Sequence, residues 1–156
     1  MPTSSAAQKR FPEDTSVQFN YLPALRGLFA PKQANPRKAL ESLQTNSPYE
    51  FGVPGLTFFA FFGCLYPDYV RGETYLDLHQ GPEAAAEFQK ILDHRGLIFA
   101  DPIGALAHLQ LGRAYASTGD TTGVKTAYQD CLTLCKDADP DIPALRQART
   151  EYAKRQ

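Results

Sequence analysis

The stretch ALAHLQLGRAYASTGDTTGVKTAYQDCLTL, residues 105–134, decides the fold. Just before it, Asp101 and the proline that follows are typical of a helix N-cap with proline in the first turn. Gly119 supplies a left-handed C-cap, and Asp120 can cap a second helix at once. A connection this short makes the two helices antiparallel. The sequence therefore predicts a helical hairpin that ends near Lys136.

The same pattern recurs upstream, where glycines head three units: Gly27, Gly72 and Gly112. Matching residues follow each glycine after three, twelve and sixteen positions. The sets are Ala30, Tyr75 and Tyr115; Ala39, Ala84 and Val124; and Leu43, Phe88 and Tyr128. Small residues let two helix backbones approach, and the large residue sixteen positions on fills the gap between them. We therefore predict three helical hairpins in succession.

Other local patterns place the remaining helices. An asparagine or glycine followed by proline predicts second helices over about 36–44 and 82–94, after turns at 33–35 and 79–81. Asp139 and Pro140 predict a last helix to about 154, which is mostly polar and suits the end of an array. Pro23 and Pro67 follow apolar runs and predict a kink or a helix restart. The connections at 45–54 and 95–100 carry extra length.

The third unit resembles a tetratricopeptide repeat. Its signature positions hold Leu111, Gly112, Tyr115, Val124, Tyr128 and Cys131, with valine and cysteine where alanine is usual. The second unit, 68–92, matches except at Arg71, where leucine is expected. The first unit, 22–44, keeps its glycine but has Ala30 and Leu43 where aromatic residues are expected.

The resemblance implies an all-α fold, an α–α superhelix of about three helical hairpins with a C-terminal capping helix. Residues 1–14 would form an N-terminal tail and the remnant of a preceding repeat, because KRFPEDT resembles the end of one. The helical repeat domain would cover 15–156. Its parts are expected at about 15–46, 55–94 and 101–136, with the capping helix at 139–154.

Composition excludes several classes of protein. The chain has 156 residues, 43% of them hydrophobic and 21% charged, which is typical of a globular domain rather than a disordered one. A net charge of −1 with interspersed signs leaves no basic surface for nucleic acid. The most apolar run, 58–66, is far shorter than the roughly 20 residues of a membrane helix, and 1–8 is no signal peptide. We therefore expect a cytoplasmic protein that binds neither nucleic acid nor membrane.

No catalytic, metal or cofactor site is predicted. Cys131 and Cys135 share a helix face and could begin a metal site or form a redox pair, but no spaced His or Cys ligands follow, so packing is favoured. Packing is favoured for Cys64 as well. The acid and base of 93–95 end a helix at a loop, where histidine usually satisfies carbonyl groups. No phosphate loop, nucleophile elbow or zinc-protease motif occurs, so we predict that the chain is not an enzyme.

The resemblance places a ligand groove on the first helix of each unit. Its ligand-facing positions are Tyr66, Tyr69, Glu73, Leu106, Leu109, Gln110 and Arg113. Aromatic residues and arginine are typical of binding hot spots. The Lys and Asn residues that clamp acidic C-terminal peptides are missing, so such a peptide is not expected. These positions could also be ordinary superhelix residues without a ligand. The aromatic run at 58–69 could either fill the interface with the preceding repeat or expose a docking surface.

These observations predict a non-enzymatic scaffold that binds a peptide or protein segment in its groove. Two alternatives remain open. The runs YLPALRG, FFGCLYPDYVRGE and FQKILDHRG resemble the C-terminal repeat region of bacterial eukaryotic-type Ser/Thr kinases, so the chain could be a detached regulatory or sensor segment of such a kinase. It could also be a homo-oligomerisation module that pairs through its N-terminal hairpin.

Overall fold

The computed structural model describes residues 3–29, 35–52, 65–98 and 101–155. Every regular element in these ranges is helical and none is a strand, which confirms the all-α prediction. The α-helices are α1 (Thr3–Arg10), α2 (Leu22–Phe29), α3 (Pro36–Gln44), α4 (Tyr66–Asp77), α5 (Gly81–Asp93), α6 (Arg95–Ile98), α7 (Ile103–Thr118), α8 (Thr121–Leu134) and α9 (Pro143–Ala153). A π-helical turn, Val17–Tyr21, leads into α2, and a 3-10 turn, Ser47–Tyr49, follows α3.

Local capping explains where several helices begin and end. The Asn35 side chain accepts a hydrogen bond from the backbone amide three residues on at 3.1 Å, so α3 begins where predicted. Asp120 caps α8 in the same way at 2.9 Å. Gly119 ends α7 with a φ of 80°, a left-handed conformation that suits glycine. At Pro23 the helix type changes, because the π-helical turn ends at Tyr21 and α2 begins at Leu22, and α4 begins at Tyr66, one residue before Pro67.

Two predicted helix starts are too early. The Asp139 side chain accepts a hydrogen bond from the Asp141 amide at 2.9 Å and so holds a turn rather than a helix. Helix α9 therefore begins at Pro143, not at 139–140. Helix α7 begins at Ile103, although Asp101 Oδ1 accepts the Ile103 amide hydrogen bond at 2.9 Å and still satisfies the start of the helix.

The repeated glycines have the packing role that their spacing predicts. In each hairpin, a Cβ atom on the glycine would collide with the residue sixteen positions later. The distances would be 2.9 Å from Gly27 to Leu43 Cδ1, 2.6 Å from Gly72 to Phe88 Cζ, and 2.9 Å from Gly112 to Tyr128 Cε2. All three large residues are buried. The same contact therefore joins α2 to α3, α4 to α5 and α7 to α8.

The hairpins stack in chain order. Helix α3 packs against α4, and α5 packs against α7, so each hairpin contacts the next. The first helices are also neighbours, since α2 contacts α4 and α4 contacts α7. One apolar cluster joins α4, α5 and α7, and a second joins α7, α8 and α9. Helix α9 buries Leu145 and Ala148, so it covers the end of the last hairpin.

Aromatic stacking fixes the connection after α3. Tyr49 stacks on Phe19 of the π-helical turn with ring centroids 4.4 Å apart. Phe51 stacks on His94 at the end of α5, with centroids 4.1 Å apart. Glu50 lies between these two aromatic residues and is buried. This connection is therefore docked against two helical units.

Some predictions fall outside the described residues, namely Ala30, most of the turn at 33–35, the aromatic residues at 58–62, and Cys64. Farther along the aromatic run, Leu65 is buried in the core and Tyr69 packs edge-on against Phe88. Among the helices that the structure does describe, none combines the length and the apolar character that a membrane crossing requires.

Candidate binding cleft

The first helices of the three hairpins line one open cleft with a volume of about 740 Å³. We call it the α2–α4–α7 cleft. Helix α2 contributes apolar side chains, α4 contributes both apolar and acidic ones, and α7 contributes polar ones. The lining side chains include Leu28, Phe29, Glu73, Leu76, Asp77, Gln110 and Arg113.

The apolar wall of the cleft belongs to α2. Leu28 and Phe29 are 43% and 39% exposed, and Tyr21 and Leu25 are exposed to the same degree. Residues spaced three or four apart share a helix face, so these four form one apolar stripe that begins at the end of the π-helical turn, and Leu28 and Phe29 are its members that line the cleft. The opposite face, which includes Gly27, packs against α3 and α4. A helix that is apolar on both faces is normally covered on both, so the exposed stripe suits a surface that another molecule covers.

Gln110 joins the polar walls of α4 and α7. Its Nε2 atom donates hydrogen bonds to Glu73 Oε1 at 2.7 Å and to Tyr69 Oη at 3.1 Å. Its Oε1 atom accepts a hydrogen bond from Arg113 Nη1 at 3.2 Å. Donor and acceptor ends of the amide are both engaged, so this wall is fixed before any ligand arrives.

Arg113 is neutralised by α9. Its Nε and Nη2 atoms donate to the two carboxylate oxygens of Glu151 at 2.9 and 2.7 Å, a bidentate geometry. Nη2 also donates to Gln147 at 3.1 Å, and the Tyr128 hydroxyl donates to Glu151 at 2.7 Å. Hydrogen bonding to Arg113 lowers the pKa of Glu151, and the same bonds raise the pKa of Arg113. The charge of Arg113 is therefore paired within the fold, where it holds α9 against α7.

Two carboxylates give the cleft its charge. Glu73 and Asp77 are four residues apart on α4 and share a face, and Asp77 is exposed. Burial raises the pKa of Glu73, and the charge of Asp77 adds to that rise. Within the described ranges, neither carboxylate forms a salt bridge. Among the described residues that line the cleft, two carboxylic acids therefore accompany a single guanidinium group, that of Arg113.

The structure brings together some of the predicted groove residues. Three of them line the cleft: Glu73, Gln110 and Arg113. Tyr69 is joined to them through its hydrogen bond with Gln110, and burial raises the pKa of its hydroxyl.

The other predicted groove residues lie outside the cleft. The Tyr66 hydroxyl donates a hydrogen bond to Asp101 Oδ1 at 3.1 Å, near the start of α7. Leu106 is half-buried on α7 and does not line the cleft. Leu109 is 3% exposed and packs with Val124 in the core, so a groove ligand does not reach it.

The residues of α2, the carboxylate of Asp77 and Glu151 contribute to the cleft but are not among the predicted groove residues. The α2 stripe could have been found from the spacing of its apolar residues at 21, 25, 28 and 29. Asp77 could have been found from its position one helical turn after Glu73. The pairing of Glu151 with Arg113 has no sequence signature, because it joins residues 38 positions apart.

A buried ionic cluster lies apart from the cleft and was also missed. Arg71, which stands where the resemblance expects leucine, has a side chain only 4% exposed. Its Nη2 atom lies 2.5 Å from Glu50, 2.8 Å from Asp68 and 2.9 Å from Glu87. Lys90 Nζ lies within 3.2 Å of the same three carboxylates. The cluster therefore ties the connection after α3 to both helices of the second hairpin.

This cluster holds three carboxylates and two cations. Asp68 is fully buried, and its Oδ2 atom has no hydrogen-bond partner among the described atoms. Burial raises the pKa of Asp68 to about 6, against the lowering effect of Arg71. A proton on Asp68 would balance the charges of the cluster.

The cysteine and histidine residues that were considered as reactive groups are engaged in packing or in helix termination. Cys131 is buried in the core, and burial raises the pKa of its thiol to about 12, which disfavours a thiolate. His94 Nδ1 donates to the Lys90 carbonyl at 2.8 Å, which confirms the role predicted for a histidine at a helix end. Across the part of the chain that the structure describes, no group of three or more His, Cys, Asp or Glu residues could hold a metal ion.

The chain matches no protein-family model, no curated protein and no solved structure. The tetratricopeptide resemblance therefore stays a prediction.

Proposed function

We propose that this chain is a non-enzymatic protein–protein interaction scaffold, a tetratricopeptide-like solenoid that binds a segment of a partner protein in the α2–α4–α7 cleft. The observation that carries the proposal is the exposed apolar stripe of α2, whose residues Leu28 and Phe29 form one wall of a cleft that is polar on its α7 side. Solvent-exposed apolar patches beside polar groups are typical of interaction surfaces.

Repetition of one packing contact supports the solenoid. The contact between a glycine and the residue sixteen positions later recurs in all three hairpins, and the hairpins stack in order. Repeated hairpins of this kind build continuous concave surfaces from their first helices. The cleft is lined by α2, α4 and α7, which are those first helices.

The fixed polar wall supports binding of a segment. Gln110 and Arg113 are already held by hydrogen bonds, so a ligand would not have to order them. Side-chain ordering costs about 0.5 to 1.5 kcal/mol for each flexible side chain in an interface, and a pre-ordered wall avoids that cost. The cleft is therefore pre-organised on α7 and apolar on α2.

The same stripe on α2 favours one alternative, pairing with a second copy of this chain. Tyr21, Leu25, Leu28 and Phe29 are exposed together, and an isologous contact would cover them in both copies. This alternative differs from the proposal in the molecule that covers the stripe. The surface involved is the same.

A photo-crosslinking amino acid at position 28 tests the proposal. The matched control carries it at position 134, where Leu134 is 61% exposed on α8. In lysate of the source cells, we expect a crosslinked product with a different polypeptide at position 28 and none at position 134. A product with twice the mass of the chain would favour the second copy. Equal crosslinking at both positions, or none at position 28, would contradict the proposal.

A further inference from the structure

The charge of the α2–α4–α7 cleft indicates the chemistry of its occupant. We infer that the cleft takes a peptide segment that presents a large apolar side chain next to a lysine or arginine. This inference rests on the proposed function and goes further, because it specifies the class of partner.

The negative charge of the cleft is not balanced within the described chain. Arg113 is the cation among the described residues that line the cleft, and its three nitrogen atoms donate to Glu151, Gln147 and Gln110. Glu73 and Asp77 line the same space without a salt-bridge partner in the described ranges, and Arg113 opposes the burial-driven rise in the pKa of Glu73 through its charge but does not pair with it. A ligand ammonium or guanidinium group would supply that partner. An acidic ligand would be repelled by Asp77 and would have to displace Glu151 from Arg113.

The apolar requirement comes from the opposite wall. Leu28 and Phe29 are exposed there, and Leu76 lies beside Asp77 at the end of α4. One ligand therefore meets apolar surface and a carboxylate within the same cleft. A volume of 740 Å³ lies in the range of pockets that bury a drug-sized ligand, which corresponds to a few peptide residues. The apolar and the cationic side chains must then be close together in the partner sequence.

Selection from a random nonapeptide display library on the immobilised full chain tests this inference. Each selected clone is screened again on a Leu28→Asp variant to identify peptides that need the cleft. We expect those peptides to carry Lys or Arg within two positions of a large apolar residue. Circular dichroism checks that the variant keeps its helical content.

A charge reversal then measures the role of Asp77. Lysine is favourable in the last turn of a helix, so Asp77→Lys should leave α4 folded. By fluorescence anisotropy, Asp77→Lys should weaken binding of the consensus peptide by about tenfold or more, since it replaces attraction with repulsion. The conservative Asp77→Glu should bind like the wild type. The matched control is Asp137→Lys, at a side chain that is 89% exposed after α8, and it should also bind like the wild type.

Failure of this inference and failure of the proposed function give different experimental results. Leu28-dependent peptides that are neutral or acidic, or that ignore Asp77→Lys, would overturn this inference and leave the proposed function standing. If no selected peptide depends on Leu28, both fail. If the chain is dimeric at micromolar concentration and Leu28→Asp makes it monomeric, the occupant is a second copy, and the inference is overturned.

Discussion

At the scale of single residues, the glycines at 27, 72 and 112 set how closely the two helices of each hairpin approach. Their partners sixteen positions later are fully buried side chains that lie where a Cβ atom would have to go. Helix propensity disfavours glycine by about 1 kcal/mol relative to alanine, so its presence in mid-helix needs a reason. Close helix packing is that reason here.

Replacing Gly72 by alanine should destabilise the protein. The new Cβ would lie 2.6 Å from Phe88 Cζ, and this ring is fully buried. Overpacking costs about 1 to 3 kcal/mol, which exceeds the gain in helix propensity, so the free energy of unfolding should fall by about 1 kcal/mol in urea denaturation. The control is Gly96→Ala, because a Cβ there meets no atom within 4 Å. An equal response of both variants would refute the packing argument.

Buried Asp68 should make stability depend on pH. Its pKa is raised from 3.8 to about 6 in the folded chain, so the folded state takes up a proton before the unfolded state does. Its contribution to stability therefore grows as pH falls from 7 to 5 and is lost as pH rises through 6. Relative to Asp68→Asn, the wild type should gain about 1 kcal/mol of unfolding free energy over that interval.

Chemical denaturation of both chains at pH 7, 6 and 5 measures this difference. His108, whose pKa is lowered by burial, and Glu73, whose pKa is raised by burial, titrate in both chains and so cancel. Glu50 belongs to the same cluster, but its pKa is lowered, so its effect falls below this interval. A difference between the two chains that stays constant with pH, or a wild type that loses stability relative to Asp68→Asn on acidification, would contradict this prediction.

At the scale of elements, α9 is attached by one apolar side and one ion pair. Leu145 is buried, and Ala148 and Tyr152 pack with residues of α7 and α8, while Glu151 anchors the helix to α7 through Arg113. The exposed positions of α9 are mostly polar. The attachment of this helix should therefore depend strongly on one carboxylate.

Glu151→Gln should loosen α9 without unfolding the hairpins. The amide keeps one acceptor oxygen but loses the bidentate ion pair with Arg113, and hydrogen bonds to charged groups contribute about 1.5 to 3 kcal/mol. Amides of α9 should exchange with deuterium about tenfold faster in mass spectrometry, while those of α5 and α7 stay unchanged. The neighbouring Arg149→Gln, at an exposed position, is the control. Uniformly faster exchange along the chain would contradict local anchoring.

The elements also show what the sequence can predict. The starts of α3 and α8 can be predicted because each capping side chain accepts a hydrogen bond from a backbone amide only three residues later, so the signal is local in sequence. The start of α9 was missed because Asp139 can hold a turn as well as a helix, and nothing local decides between them. The glycine contacts follow from a fixed spacing. The cluster around Arg71 joins it to Glu50, 21 residues away, and no periodic pattern reports such a pair.

At the scale of the whole molecule, the cleft forms because the three hairpins stack on one another. No single hairpin forms it, because α2, α4 and α7 belong to three different hairpins. The resemblance predicted that first helices would line a groove, and three of the predicted residues do line the cleft. The balance of charge in the cleft depends on α9, whose Glu151 engages Arg113, so it could be read only from the assembled structure.

The most direct test of this account is the binding surface of the tightest nonapeptide that display selects on the full chain. Backbone amide chemical shifts of the ¹⁵N-labelled protein would be followed as the peptide is added. We predict that the largest changes fall on Leu28, Phe29, Asp77 and Gln110, with little change along α8. Changes centred on α8 or on the outer face of α5, with the cleft undisturbed, would contradict the claim that the first helices bind the partner.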